Sequence, residues 1–108
     1  MAEVIHPVRQ EMPKYRYIYV LRSSLDQQFY VGLTRSLLKR LHAHNRGLVT
    51  STKKRRPFQL VYWEGCLDER DAAKREKYLK SAWGKRYIKT RLKNYLTNSS
   101  VEIEKPTP

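Results

Sequence analysis

Two runs of strand-forming residues lie close together in the first third of the chain. Residues 17–21 read YIYVL and residues 29–33 read FYVGL, and both are rich in the aromatic and β-branched side chains that favour strands. The polar connection between them, which contains SSLDQQ, is shorter than the about a dozen residues that a parallel crossover needs. The two runs therefore predict an antiparallel hairpin.

A helix is predicted directly after this hairpin. Apolar residues recur at helical spacing from Leu37 to Leu48. Ser36 is placed to cap the first turn of this helix, and Gly47 is placed to end it. The pattern predicts about three turns of helix.

A third strand and two more helices complete the expected order, ββαβαα. Residues 59–64, QLVYWE, return to strand composition, and Asp68 can cap a helix that runs to Ala82 or Trp83. Gly84 is expected to interrupt that helix before a last helical pattern over residues 85–96.

This order predicts one α+β domain built on a three-stranded sheet. The domain is expected to cover residues 15–96, because that segment contains every periodic apolar pattern. Residues 1–14 and 97–108 are polar or proline-containing and are expected to be loose ends.

The chain is strongly basic. Its 108 residues include 23 lysines and arginines against 10 acidic residues, which gives a formal net charge of +13. This charge indicates a polyanionic partner, for which nucleic acid is the leading candidate and a simply solvated basic face is the alternative. No acidic residue lies between residues 35 and 56, where the basic residues are Arg35, Lys39, Arg40, Arg46, Lys53, Lys54, Arg55 and Arg56.

The same composition argues against several other classes of protein. No stretch approaches the roughly 18 consecutive apolar residues of a membrane span. The single cysteine, Cys66, cannot form an internal disulfide, and no Cys/His spacing suits zinc. The N-terminal sequence MAEVIHPVRQEMPK lacks the apolar core of a secretory signal, so a cytoplasmic protein is expected.

Two tyrosines on the neighbouring predicted strands are candidate site residues. A hairpin can bring the phenols of Tyr19 and Tyr30 together, although tyrosine is also simply a good strand residue. Gly32 follows closely, where glycine weakens a strand by about 0.5–1 kcal/mol relative to alanine. It indicates a bulge, a close approach of the backbone to another chain or ligand, or the plain end of the strand.

Arg40 and His44 lie four residues apart and therefore share one ridge of the predicted helix. A guanidinium held at the edge of a core suits bidentate binding of a phosphate and stabilisation of its charge in a transition state. The alternative is a pair of solvated basic side chains on a basic helix.

Glu76 is the most informative of the candidates. At helical spacing its neighbours are Ala72, Leu79 and Trp83, so a carboxylate occupies a position where the pattern requires an apolar residue. Burying this charge is costly unless a cation pairs with it. The cation is either a neighbouring arginine or Mg²⁺, which proteins often hold by one or two carboxylates together with substrate phosphate and several waters.

The triplets YIY at residues 17–19 and YVG at residues 30–32, followed by Arg40 and Glu76 in successive helices, resemble the GIY-YIG nuclease family. The blocks YIYVLRS, FYVGLT, LLKRLHAHNRG, KKRRPFQLVYWE and AAKREKYLK follow the pattern of its small stand-alone bacterial members in order and spacing. Those members are related to the N-terminal nuclease domain of the excision-repair incision subunit. The resemblance covers about residues 16–88.

This resemblance implies a small α/β sandwich with a central three-stranded antiparallel sheet flanked by helices. It implies one Mg²⁺ or Mn²⁺ ion on Glu76, with Tyr19 and Tyr30 lining the site and one of them deprotonating or positioning the attacking water. Arg40 matches the arginine that binds the scissile phosphate, and His44 occupies a position where members carry His or Tyr. A phenol is a poor base at pH 7 unless cations lower its pKa, and the metal and Arg40 are the expected cations.

Two positions depart from the family pattern. Leu33 and Thr34 stand where many members place a lysine just after the second triplet. The spacing of a late asparagine that contributes to the site falls near Ile88. Asn45, by proximity, and Asn94, more remotely, are the asparagines that could replace it.

The expected function is a divalent-metal-dependent DNA endonuclease that hydrolyses phosphodiester bonds in structured or damaged DNA. Its expected partners are DNA and a targeting protein, without a membrane, and it is expected to act as a monomer or weak homodimer. The alternatives are a catalytically silent basic nucleic-acid-binding module of the same fold and an RNA-binding structural protein. The residues expected to contact nucleic acid are Gly32, Arg35, Lys39, Arg46, Lys53, Lys54, Arg55, Arg56 and Lys77.

Overall fold

Strands and helices follow the predicted order ββαβαα, except that the last predicted helix is divided in two, and the fold is α+β. The computed structural model describes residues 13–104, with side chains described up to residue 98. Its strands are β1 (Arg16–Ser23), β2 (Phe29–Thr34) and β3 (Phe58–Cys66). Its α-helices are α1 (Leu37–Asn45), α2 (Glu69–Lys80), α3 (Ala82–Arg91) and α4 (Lys93–Glu104), and a 3-10 helix covers Lys53–Arg55. None of these helices is both long enough and apolar enough to cross a membrane.

β1 is the central strand of a sheet with the order β2-β1-β3, and both neighbours pair with it in antiparallel direction. The predicted hairpin and the predicted three-stranded antiparallel sheet are both confirmed. Tyr19 lies near the middle of β1, where its cross-strand neighbours are Gly32 on β2 and Trp63 on β3. Because directly paired residues share a face of the sheet, Tyr19 has a glycine on one side and a tryptophan on the other.

One face of the sheet is covered by α2 and α3. Ile18, Val20 and Val31 point to this face and pack with Leu79 of α2 and Ile88 of α3. Each of these side chains is at most 6% exposed, and full burial of such a side chain stabilises the fold by about 1.5–3 kcal/mol. This cluster is the larger part of the core.

The opposite face of the sheet is covered by α1. Successive side chains of a strand point to opposite faces, so Tyr19 and Leu21 of β1 point here, together with Phe58 of β3. Leu37 and Leu41 of α1 pack against them. This side, the α1 face, therefore contains a tyrosine hydroxyl within an otherwise apolar cluster.

The break between α2 and α3 falls at Ser81, so the predicted interruption at Gly84 is wrong. Asp68 caps α2 as predicted by accepting from the Arg70 N–H at 2.7 Å, and Ser81 caps α3 by accepting from the Gly84 N–H at 3.2 Å. Gly84 is buried in the first turn of α3, where a β-carbon would lie 2.7 Å from the backbone carbonyl carbon of Leu79. Close packing of the two helix ends therefore requires this glycine.

The last predicted helix, over residues 85–96, is divided at Leu92 into α3 and α4. α4 continues to Glu104, although a loose segment is predicted from residue 97 onward. The predicted loose N-terminal segment lies outside the described residues except for Pro13 and Lys14.

Candidate active site

Tyr19 is the centre of the candidate site, because its hydroxyl contacts two other predicted site residues. The Tyr19 residue is only 2% exposed. Its hydroxyl lies 2.8 Å from His44 Nε2, and the Arg40 Nε–H donates to it at 3.3 Å. α1 positions both partners, since residues four apart project from one ridge of a helix. The fold thus brings Tyr19, Arg40 and His44 into one hydrogen-bonded group.

Gly32 gives the Tyr19 ring the room that it occupies. A β-carbon on Gly32 would lie 2.8 Å from Tyr19 Cε2 and closer still to the hydroxyl end of the ring. Of the alternatives that the sequence left open, the close approach is the one found, and its neighbour is the Tyr19 ring rather than another chain. Gly32 is buried by this contact, which differs from the nucleic-acid contact predicted for it.

His44 is fully buried, and its Nε2 accepts the hydrogen bond from the Tyr19 hydroxyl. Its Nδ1 lies 2.8 Å from Thr52 Oγ1, and the Thr52 hydroxyl donates to the Val49 carbonyl at 3.4 Å. Because the Thr52 proton is directed at Val49, the Thr52 oxygen accepts from Nδ1–H, which leaves Nε2 unprotonated. Burial, assisted by the charge of Arg40, lowers the pKa of His44 to about 4. At pH 7 the neutral imidazole therefore accepts a hydrogen bond from Tyr19.

The pKa of Tyr19 is raised above its usual value, not lowered. Burial is the largest cause, and the hydrogen bond from Arg40 opposes it without outweighing it. The charges of Tyr30 and, least of all, Glu76 also raise the pKa of Tyr19. In the protein alone, the expected help from Arg40 is thus present but insufficient, and Tyr19 stays protonated at pH 7.

Tyr30 lies against the same group through its ring. It is half-buried, and its ring centroid is 5.0 Å from that of His44 and 6.3 Å from that of Tyr19. Within the described part of the chain its hydroxyl has no hydrogen-bond partner. Tyr30 therefore offers a free phenol beside the Tyr19 and His44 pair.

The carboxylate of Glu76 forms an ion pair with a lysine and not with the neighbouring arginine. Its carboxylate is 22% exposed and lies 3.1 Å from Lys80 Nζ, one helical turn away and itself 55% exposed. The adjacent arginine, Arg75, instead makes two 2.8 Å hydrogen bonds to Glu64 of β3. The sequence left open whether the cation beside Glu76 is a neighbouring arginine or Mg²⁺. The neighbouring arginine, Arg75, is bonded to Glu64 instead.

The donor set around Glu76 fits a hard divalent cation held largely by water and substrate. Among residues 13–104 there is no group of three or more His, Cys, Asp or Glu side chains that could enclose a metal. One carboxylate with open access is nevertheless the arrangement in which proteins bind Mg²⁺ through substrate phosphate oxygens. His44 is not available as a ligand, because both of its ring nitrogens are hydrogen-bonded.

The basic residues predicted to contact nucleic acid fall into two groups. Most of them are exposed side chains: Arg35, Lys39, Arg46, Lys53, Lys54, Arg56 and Lys77. Lys53, Lys54 and Arg56 line an open groove of about 710 Å³ beside Asn45 and Pro57. This groove is a continuous basic surface at the C-terminal end of α1.

Arg55 differs from the rest of this basic set because it is engaged in the fold. Its guanidinium donates to Asp26 at 2.8 Å and 3.4 Å, and it lies 5.5 Å from the centre of the Phe58 ring. Its carbonyl oxygen accepts from the Ser23 hydroxyl. Arg55 therefore secures the loop before β3 to the β1–β2 turn.

Two residues that support the site were not singled out as such by the sequence. Thr52 is fully buried and fixes the tautomer of His44. Asn45, considered only as a substitute for the late asparagine, is engaged with the backbone of Phe58, donating at 3.0 Å and accepting at 2.7 Å. Neither role has a local signal, since each depends on contacts between segments that fold together only in three dimensions.

Comparisons with known proteins identify the family of this chain. The GIY-YIG catalytic domain matches residues 15–89 of the chain. A UPF0213 protein of Clostridium perfringens is 42% identical over 65 residues, which cover 59% of this chain and 69% of the relative. A relative from Pediococcus acidilactici is 40% identical over 90 residues, 81% of this chain and 86% of its own. Another from Haloquadratum walsbyi is 35% identical over 97 residues, 88% of this chain and 100% of its own. The chain therefore belongs to the GIY-YIG nuclease family.

Proposed function

We propose that this protein is a divalent-metal-dependent DNA endonuclease that hydrolyses phosphodiester bonds in structured or damaged DNA. One observation carries the proposal. The Tyr19 hydroxyl is hydrogen-bonded to a neutral His44 and to Arg40, and the Glu76 carboxylate is paired with a half-exposed lysine. A hydrogen-bond acceptor and a guanidinium therefore meet at one phenol, and Glu76 is the carboxylate proposed to hold the metal.

The proposed role of Tyr19 and His44 is a proton relay. As water attacks phosphorus, its proton passes to the Tyr19 oxygen while the Tyr19 proton passes to His44 Nε2. The new bond joins the water oxygen to phosphorus, and the bond from phosphorus to the leaving oxygen breaks. Because Tyr19 gives up one proton as it receives another, the lowered pKa of His44 opposes the step more than the raised pKa of Tyr19 does. The charge of Arg40 is one cause of that lowering, and we propose that the phosphate bound by Arg40 offsets it.

Arg40 and Glu76 supply the electrostatic part of the proposed mechanism. Only Nε of Arg40 is bonded to the described residues, which leaves its two terminal nitrogens for bidentate contact with the scissile phosphate. Glu76 would hold a Mg²⁺ or Mn²⁺ ion, which would supply Lewis-acid stabilisation of the developing negative charge. Tyr30, with its free hydroxyl, is placed to orient the water or the phosphate.

A catalytically silent nucleic-acid-binding module is the alternative, and one contact favours it. Lys80 pairs with Glu76 at 3.1 Å and could neutralise the carboxylate without any metal. Such a pair one helical turn apart on an exposed helix surface is worth only about 0.3–0.5 kcal/mol. A divalent cation that binds Glu76 would have to displace only this weak contact with Lys80. The endonuclease is therefore the better-supported function.

The proposal is tested with supercoiled plasmid and a branched oligonucleotide in the presence of Mg²⁺. Wild-type protein is expected to nick or cut at least one of them, and Glu76→Ala is expected to leave both intact. Glu69→Ala is the matched control, because Glu69 lies on the same helix but is 69% exposed and pairs with Arg16 at 3.5 Å. Folded wild-type protein that binds both DNAs without cutting either, or a Glu76→Ala protein that cuts as well as wild type, contradicts the proposal.

A further inference from the structure

One exposed and two half-buried aromatic rings lie beside Tyr19 on the α1 face of the sheet. Trp63, the cross-strand neighbour of Tyr19, is 51% exposed. Its ring meets the Tyr17 ring edge-to-face with 5.4 Å between centroids, and the Tyr15 ring lies 6.2 Å from that of Tyr17. We refer to Tyr15, Tyr17 and Trp63 as the aromatic platform. A cleft of about 540 Å³ on this platform is lined by Pro13, Tyr15, Tyr17, Trp63 and Gly65.

The residue that lies across the sheet from the platform has no side chain that could cover the rings. Gly65 is the cross-strand neighbour of Tyr17 and places no side chain on the rings. Even a methyl group there would contact Tyr15 at 3.4 Å and Tyr17 at 3.6 Å. Exposed apolar surface of this kind, adjacent to a site, marks a surface where a ligand binds.

The charges around the platform are complementary to nucleic acid. Lys14 and Arg35 line an adjoining cleft, which shares Pro13, Tyr15 and Tyr17 with the cleft on the platform. Among the residues that the structure describes, no acidic side chain lines either cleft. Aromatic rings bordered by cationic side chains are the combination with which proteins bind single-stranded nucleic acid, the rings stacking on bases and the cations contacting phosphates.

We propose that the aromatic platform stacks an unpaired base of the DNA strand next to the scissile phosphate. The inference deepens the proposed function and rests on it, because it uses the position of Tyr19 as the point of cleavage. Trp63 and Tyr19 are direct neighbours across β1 and β3, so a base on Trp63 belongs to a nucleotide close to the reacting phosphate. Bases inside a duplex already stack on each other, and only an unpaired or extruded base exposes its face. The structured DNA of the proposed function is therefore DNA with an unpaired nucleotide at the cleavage position.

Binding in EDTA tests this inference without requiring cleavage. The probes are a fluorescein-labelled blunt duplex and the same duplex with a single-stranded tail. We expect Trp63→Ala to weaken binding of the tailed DNA by about 10-fold and to leave binding of the blunt duplex unchanged. Trp63→Phe retains a ring and is expected to lose less than Trp63→Ala. Trp83→Ala is the matched control, because Trp83 is 68% exposed on α3 and contacts Arg86 instead of the platform.

Fluorescence of Trp63 provides an independent measurement in the full-length chain. In a Trp83→Phe variant, Trp63 is the remaining tryptophan, and the tailed DNA is expected to quench its emission while the blunt duplex does not. Equal weakening of both DNAs by Trp63→Ala, or no weakening of either, overturns the inference. So does a Trp63 that acrylamide cannot quench in the free protein, because the platform is then already covered by residues 1–12 or by a second copy.

These outcomes are distinguishable from failure of the proposed function. Tailed DNA that quenches Trp63 but is never cut supports the platform and contradicts the endonuclease. DNA that is cut in a Glu76-dependent way, with binding indifferent to Trp63→Ala, supports the endonuclease and overturns the platform.

Discussion

Two glutamates of this protein are equally buried and yet have opposite surroundings. The side chain of Glu64 on β3 is 21% exposed and that of Glu76 on α2 is 22% exposed. Glu64 accepts two hydrogen bonds from Arg75 and one from Tyr62, all at 2.8 Å. Glu76 has one ion pair with a half-exposed lysine. Partner geometry, and not burial, therefore separates the structural carboxylate from the one available to a ligand.

The partners of Glu64 explain why it is unavailable. The planar fork of an arginine matches a carboxylate in two parallel bonds, which a lysine ammonium cannot do. The hydrogen bonds from Arg75, and then from Tyr62, lower the pKa of Glu64 against the opposing effect of burial. Burial, and then the hydrogen bonds within the group, raise the pKa of Tyr62 in return. These groups stabilise one another, and both oxygens of Glu64 are already engaged by hydrogen bonds.

The largest expected effect is on cleavage when Glu76 loses its charge. Glu76→Gln is expected to reduce the single-turnover rate of DNA nicking by about 100- to 1000-fold, the usual effect of removing an electrostatic contact from a transition state. The Glu64→Gln variant is expected to nick DNA within about threefold of the wild-type rate, at a temperature where the variant is folded. If both variants lose activity equally, the contrast between the two glutamates has no functional meaning.

The next largest effect is expected for Tyr19, the tyrosine proposed to act with Glu76, compared with Tyr62, the tyrosine that donates a hydrogen bond to Glu64. Tyr19→Phe removes the proposed relay and is expected to reduce nicking by about 100-fold, within the range of general-base contributions. Tyr62→Phe removes a hydroxyl from Glu64 and is expected to leave the nicking rate unchanged. A Tyr19→Phe protein that nicks at the wild-type rate excludes the relay and shifts the role to Tyr30.

Acid is expected to destabilise the α1 face before it affects Glu64. The pKa of His44 is lowered to about 4 in the folded protein, so the unfolded chain takes up the proton first once the pH falls below about 6.5. Stability is therefore lost between pH 6.5 and 4, by up to about 3 kcal/mol. Urea unfolding at several pH values measures this loss, and His44→Gln is expected to flatten the curve over that interval.

Glu64 contributes to the pH dependence only at lower pH. Because its folded pKa is lowered, its contribution is present above the unfolded value of about 4.5 and is lost as the pH falls through the folded value. A pH dependence between 6.5 and 4 that persists in His44→Gln shows that another group titrates there.

The smallest expected effects are on stability at pH 7. Glu64→Gln weakens two charge-assisted bonds from Arg75 and is expected to lower the free energy of unfolding by about 2 kcal/mol. Glu76→Gln removes one ion pair with a half-exposed lysine and is expected to change the free energy of unfolding by less than about 0.5 kcal/mol. Urea unfolding of the two variants side by side measures the difference, and the reverse order of stabilities contradicts the structural role of Glu64.

Much of the fold is accessible from the sequence, because its strands and helices follow local patterns. The runs YIYVL and FYVGL form a hairpin, and Asp68 caps a helix where the pattern places it. The break after α2 was misplaced because glycine is commonly a helix stop. Here the caps belong to Ser81, and Gly84 is required by the contact of two helices that no local rule describes.

The site was accessible only in part. Glu76 could be singled out because a carboxylate interrupts an apolar stripe, and Gly32 because it weakens a strand. The pairing of Arg75 with Glu64 was not accessible, because it joins a helix to a strand eleven residues earlier. The same is true of Thr52, which lies in a polar loop and reaches His44 only when that loop folds against α1.

Paramagnetic broadening by Mn²⁺ tests the central contrast most directly, because it requires no catalysis. As Mn²⁺ is added to the wild-type protein, NMR signals around Glu76 and Tyr19 are expected to broaden first, and they are expected to do so equally in Glu64→Gln. In Glu76→Gln this broadening is expected to disappear. Broadening that survives in Glu76→Gln, or that centres on Glu64, contradicts the assignment of Glu76 as the metal-binding carboxylate.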